Sequence, residues 1–206
     1  MKKIFDRLKI ILKKNGDSKG FTLLELIISV AVLSVIMVMI FSMMTSGSVF
    51  FEKSNTMMKV SYSLQETMSQ IKETVIDCSK AIKIKEYSNT EFVVVNKNGD
   101  DYMACAYKYD SGAKILYYGE TVFSGPGDGN LPTKIENSYQ VLAEGVTDFS
   151  ATPEKSKKMD GETESYKVKS LSVKVTVEKN GRSDSAVETI APRNNPLMVT
   201  DYAEIE

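Results

Sequence analysis

The side chains able to do chemistry are few, and one of them lies in the wrong solvent. Glu25 stands near the start of "SKGFTLLELIISVAVLSVIMVMIF" (Ser18–Phe41), and no other charged residue occurs from Leu26 to Phe51. A carboxylate at mid-bilayer costs about 2.5–3.5 kcal/mol unless it is paired. This acid therefore either snorkels to an interface or meets a cation. The chain has no His and no Trp, which excludes a His-based triad and a His metal site. Its two cysteines, Cys78 and Cys105, are too few for zinc and neither sits beside a base. A disulfide between them would close a loop of roughly 27 residues and add about 3 kcal/mol. Two small buried hydrophobes are the equally open alternative. Asp128 and Asn130, in "SGPGDGNLP" (Ser124–Pro132), offer oxygens to calcium, but too few carboxylates accompany them; a contact loop is the better reading, and a merely flexible loop better still. There is no Gly-rich phosphate cradle and no certifiable acid pair. No metal, no cofactor and no catalytic residue is expected.

The elements that must position Glu25 begin with a basic stretch. Residues 1–20 carry net +5, leaving -6 to the rest of a chain whose total is -1. That bias holds the stretch in the cytoplasm, and the apolar run that follows is long enough to span the hydrocarbon core as a helix. Beyond Phe51, Met57, Val60, Leu64, Met68, Ile71, Val75, Cys78 and Ile82 recur at steps of three and four, the stripe of an amphipathic helix. With no proline from Phe21 to Ile82, the pattern predicts one helix of roughly 60 residues, about 90 Å long. Ser46-Gly47-Ser48 is its weak point, a kink or a harmless glycine.

After Tyr87 the period becomes two. Strands are expected at Glu91–Val95, Asp101–Tyr109 and Lys114–Tyr118, with Asn98-Gly99 as the first tight turn. Ser124–Pro132 and Pro153–Gly161 read as loops, with a strand near Thr147–Ala151 between them. Val168–Glu178 alternates most clearly, and Asn180-Gly181 turns it into Ser185–Ile190. Tyr102, Tyr107, Tyr109, Tyr117 and Tyr118 fall in strands and are expected to pack. The fold class is α+β: a long N-terminal helix covering one face of an antiparallel sheet.

Gly20-Phe21-Thr22-Leu23-Leu24-Glu25 resembles the class III signal of type IV prepilins and type II secretion pseudopilins. The resemblance implies a pilin-like fold and cleavage between Gly20 and Phe21 by a prepilin peptidase, which methylates the new Phe21 amine. It divides the chain into a cleaved leader (1–20), a transmembrane and filament-core helix (21–51), its amphipathic continuation (52–85) and a β-rich head (86–206). It also gives Glu25 a partner, because the freed amine of a neighbouring subunit is cationic. "GVTDF" (Gly145–Phe149) and "ETIAPRN" (Glu188–Asn194) are similar to stretches of J-type minor pseudopilins and PilW-like minor pilins. That subgroup implies a low-copy subunit that helps assembly start. The partners implied are the peptidase, major and minor pilins, the membrane and an inner-membrane assembly platform. The location is the cytoplasmic membrane with the head outside, then the cell-surface filament. A filament-borne adhesin or a DNA-uptake subunit is the alternative. The negative charge of residues 21–206 argues against nucleic acid unless a basic face forms locally. An extracytoplasmic enzyme on a signal anchor has no recognisable site.

Overall fold

The computed structural model describes residues 22–84, 89–125, 131–160 and 163–199, without the side chains of 158–160 and 163–164. The chain divides into two compact units, residues 1–52 and 53–206, and the helix α1 (Leu23–Ile76) contributes to both.

In the first unit α1 is uncovered. Its apolar side chains from Leu23 to Phe51 are exposed, and the stretch is long and apolar enough to cross a membrane. Its hydroxyls do not break that character. Ser29 Oγ donates to Glu25 O, Ser34 to Ala31 O, Thr45 to Phe41 O and Ser48 to Thr45 O, at 2.7–2.9 Å. Each of these four hydroxyls is thereby satisfied on its own helix, as an apolar solvent requires. The helix runs unbroken through Ser46-Gly47-Ser48.

In the second unit the stripe expected from the sequence is the covered face. Val60, Leu64, Thr67, Met68, Ile71 and Val75 are buried. The helix stops at Ile76, short of the predicted end, and Cys78 and Ile82 belong to a turn and a strand instead. The stop comes from far along the chain. Arg193 N donates to Ile76 O (3.1 Å) and Asn194 Nδ2 to Cys78 O (3.2 Å), so the last carbonyls find partners off the helix axis.

The strands are β1 (Ala81–Ile84), β2 (Glu91–Asn98), β3 (Asp101–Asp110), β4 (Ile115–Phe123), β5 (Gln140–Glu144), β6 (Val146–Asp160), β7 (Thr163–Lys179), β8 (Arg182–Ile190) and β9 (Leu197–Val199). A short helix α2 (Leu131–Ser138) lies between β4 and β5. The sheet order is β5-β4-β3-β2-β1-β9-β7-β6, with β8 added to β7. β9 runs parallel to β1 and meets β7 at Lys167, so the C-terminal strand joins the β1–β5 meander to the β6–β8 hairpins. Asn180 and Gly181 turn β7 into β8 with φ of 51° and 69°, the left-handed pair such a two-residue turn needs.

Leu171, Val173, Val175 and Val177 of β7 are all buried, on one face, as their alternation predicts. They join Phe92, Val94, Cys105, Tyr107, Leu116 and Phe149 beneath α1. The meander departs from a one-sided sheet. Ala81, Val93, Val95, Ala104, Ala106 and Phe123 form a second cluster with Leu131 and Ile135 of α2. The expected loop at Pro153–Gly161 is for the most part strand. Its residues pair with β7 from Pro153↔Leu171 to Asp160↔Thr163, and although Leu171 and Val168 opposite them are buried, residues 154–158 themselves are polar and carry no apolar period to betray a strand.

Candidate functional site at the start of the long helix

Thr22 precedes the first helical residue, and Glu25 is the third residue of α1. Thr22 N and Thr22 Oγ1 both donate to Glu25 Oε2, at 3.1 and 3.0 Å, and Glu25 N donates back to Thr22 Oγ1 at 3.3 Å. This is a reciprocal capping box, with the cap hydroxyl on the third amide and the carboxylate on the cap's own amide. The carboxylate also lies at the positive end of the helix dipole. The signal Thr-x-x-Glu was present in the sequence, and Thr22 is the site residue that the acid's oddity obscured. In an apolar solvent the box gives Glu25 two donors without any second chain. Gly20 and Phe21 lie outside the described residues, as do Asp128 and Asn130.

Cys78 and Cys105 are free thiols, and both are buried in the core beneath α1. Cys78 Sγ donates to Ala81 O (3.4 Å), and Tyr118 Oη donates to Cys105 Sγ (3.7 Å). Burial pushes the Cys78 thiol up to about 12 and raises that of Cys105. These are packed, unreactive groups rather than nucleophiles. The tyrosines pack as well. Tyr107 is buried, stacks on Phe92 at 4.8 Å and shares a hydrogen bond of 2.8 Å with Thr74 Oγ1, tying β3 to α1. Desolvation raises its phenol too.

The sign of the resulting pH dependence follows. A thiol whose folded pKa lies above its unfolded value of 9.0 contributes stability that is complete below about pH 9 and is lost as pH rises towards 12. Head stability should be flat from neutral pH to about 9 and decline beyond it, as read by urea midpoints across that range. Cys78→Ala should flatten the decline, and a decline unchanged by it would locate the alkaline sensitivity elsewhere. Both native thiols should resist iodoacetamide at pH 8 and react once the chain is unfolded.

The two short stretches near the C-terminal half of the head also acquire roles. Gly145 has φ of 75°, and its carbonyl accepts from Glu178 N at 2.7 Å. Val146 and Phe149 are core residues, and Asp148 pairs with Lys174 at 2.7 Å. Glu188 pairs with Lys72 of α1. Arg193 Nη1 reaches Asp77 Oδ1 at 3.3 Å, which adds a cation at the helix C-terminus where the dipole favours one. The first stretch ties the start of β6 to β7, and the second ties α1 to the sheet.

Residues 16–41 match the prokaryotic N-terminal methylation motif. The N-terminal segment is type IV pilin-like. The match takes in the end of the basic N-terminal stretch, the capping box and the exposed first part of α1, and it supports anchoring in a membrane by this helix. The motif belongs to structural subunits rather than enzymes. No curated protein and no solved structure matches the chain. The head's role therefore rests on its own geometry.

Proposed function

We propose that the chain is a minor pilin or pseudopilin, a subunit of a type IV pilus or related filament that supports its assembly. The chain is made with the leader 1–20 and is cut between Gly20 and Phe21 by a prepilin peptidase. α1 then holds it in the cytoplasmic membrane with the head outside until it is drawn into the filament. In the membrane, Thr22 occupies the Glu25 carboxylate. In the filament, the cationic Phe21 amine of a neighbouring subunit replaces it, because a matched buried charge pair is far less costly than an isolated charge. The apolar face of α1 supplies the filament core, and the head supplies the surface.

The observation that carries this reading is a single stretch. The methylation motif coincides with an apolar helix whose side chains are uncovered and whose one charge, from Thr22 to Phe51, is capped Glu25. The intact mass of the cell-associated protein tests it. The mass should correspond to a chain beginning at Phe21 and bearing one methyl group. A functional protein that still begins at Met1 would remove the basis of the proposal.

A further inference from the structure

β8 is an edge strand that nothing guards. Among the described residues it pairs with β7 alone, over nine consecutive positions from Leu171↔Ile190 to Lys179↔Arg182, without a bulge. It holds no proline and no lysine. Natural sheet edges are blunted by bulges, proline, lysine or brevity. The two ends of the main strand order follow that rule. β5 has five residues and a bulge against β4. β6 carries Pro153, Lys155 and two bulges, and its Ala151 N donates to Asn89 O at 2.9 Å.

Two hydrogen bonds fix which backbone groups β8 turns outward. Glu178 N donates to Gly145 O, so Ser172, Lys174, Thr176 and Glu178 of β7 face β6, and the residues between them face β8. Their partners on β8 are Asp184, Ala186, Glu188 and Ile190. Ser185 N donates to the side chain of its own neighbour, Asp184 Oδ1, at 2.9 Å. Ser183, Ser185, Val187 and Thr189 thus point their amides and carbonyls away from the sheet. Beside this edge, a groove of about 510 Å³ separates β8 from α1. Leu64, Met68 and Ala186 supply its apolar lining, and Asp184 and Glu188 flank Ala186. These acids do not guard the edge, because α1 holds each of them. Ser61 Oγ donates to Asp184 Oδ2 at 2.7 Å, and Lys72 pairs with Glu188.

We propose that β8 and this groove bind an extended segment of another protein, added antiparallel to β8. The segment carries a large apolar side chain opposite Ala186 and a lysine or arginine two residues to either side. Main-chain bonds to the outward positions hold such a strand, and its alternate side chains give specificity. The position opposite Ala186 is a non-hydrogen-bonded pair, where side chains approach most closely, and the small Ala186 leaves room there against Leu64 and Met68. The flanking positions oppose Asp184 and Glu188, and opposite charges across a pair favour association. A carbonyl of the added strand takes Ser185 N from Asp184 Oδ1, which frees that oxygen for the incoming cation. On the other face Val187, 65% exposed, gains a cross-strand neighbour. A second copy of β8 does not fit. Antiparallel self-pairings that keep the faces aligned over seven residues or more set Ala186, Asp184 or Glu188 opposite Ala186, never a large apolar residue. The site lies wholly in the head and does not depend on the filament reading.

Fluorescence anisotropy of the labelled peptide Thr-Lys-Thr-Leu-Thr-Lys-Thr, titrated with the full-length protein in nonionic detergent, tests the site. Binding should saturate below about 1 mM. Replacing the peptide's leucine by alanine should weaken it roughly tenfold. Replacing both lysines by glutamate should weaken it about fivefold or more. N-methylation of the threonine amide on either side of the leucine should cost about fivefold, whereas N-methylation of the leucine, whose amide faces away from β8, should cost little. Ala186→Leu should fill the groove from within and remove saturable binding, with an unchanged circular dichroism spectrum. The peptide changes leave the protein untouched and decide the matter even if that variant fails to fold. Absence of saturation, equal binding of the glutamate peptide, N-methyl effects without alternation, or a folded Ala186→Leu equal to the parent would overturn the proposal. Dimerisation of the parent without peptide, seen by sedimentation and abolished by Ala186→Leu, would overturn it in favour of a second copy. None of these readouts involves filament assembly, so failure here leaves the processing and assembly reading to its own test.

Discussion

Glu25→Gln should enter the membrane normally and be nearly absent from filaments. The substitution separates two roles that one carboxylate plays. A glutamine side chain can still accept from Thr22 N, so the capping box survives. Membrane insertion should be unimpaired, because a neutral amide is less costly in hydrocarbon than a charge. The amine of a neighbouring subunit, however, loses its counter-charge in the filament core, and an unmatched buried charge costs about 3–5 kcal/mol. Incorporation should therefore fall by roughly a hundredfold or more, measured as the ratio of filament to membrane protein on immunoblots. Glu25→Ala should behave alike for incorporation while also losing the cap. Thr22→Ala is the control, because it removes only the cap, at about 1 kcal/mol, and should incorporate at near-parental levels. If Glu25→Gln incorporated normally while Thr22→Ala did not, the carboxylate would be a helix cap and nothing more.

Legibility differed sharply between the ends of the molecule. The apolar run, its single acid and the Gly-Phe before it are local features, read directly from order and type. β7 was also legible, since Leu171, Val173, Val175 and Val177 alternate with Ser172, Lys174 and Thr176 and one face is buried. The end of α1 was not. Cys78 and Ile82 keep the helical spacing by coincidence, and no Gly or Pro stops the helix there. The stop is supplied by Arg193 and Asn194, more than a hundred residues on, and no window around Ile76 contains it. The three residues of β9 escaped for a similar reason. Leu197–Val199 is too short to show a period, and its partner β1 is remote in sequence.

The site was legible in part, and the missing part has a physical cause. Glu25 drew attention because it violates the solvent, while Thr22, which satisfies it, is ordinary in any context.

Gly145→Ala should be the most damaging glycine-to-alanine substitution among the described residues of the head. Gly145 joins β5 to β6 with φ of 75°, a conformation that an L side chain rarely adopts. A Cβ placed there would lie 2.4 Å from Glu178 O, which is backbone at the end of β7 and has no rotamer through which to escape. Relief requires moving Glu178, whose own N–H donates to Gly145 O at 2.7 Å, so the clash also removes a strand-closing hydrogen bond. Val146, the next residue, is fully buried and transmits any shift to the core beneath α1. Strain at a left-handed position together with a lost buried hydrogen bond should cost roughly 2–4 kcal/mol. In a head of this size that corresponds to a fall in Tm of about 5–15 °C. Gly99→Ala provides the contrast, because Gly99 has a similar φ of 65° but nothing within 4 Å of the added carbon. It should cost about 1 kcal/mol, the conformational part alone. Equal losses for the two variants would mean that the approach of Glu178 contributes nothing and that backbone conformation explains both.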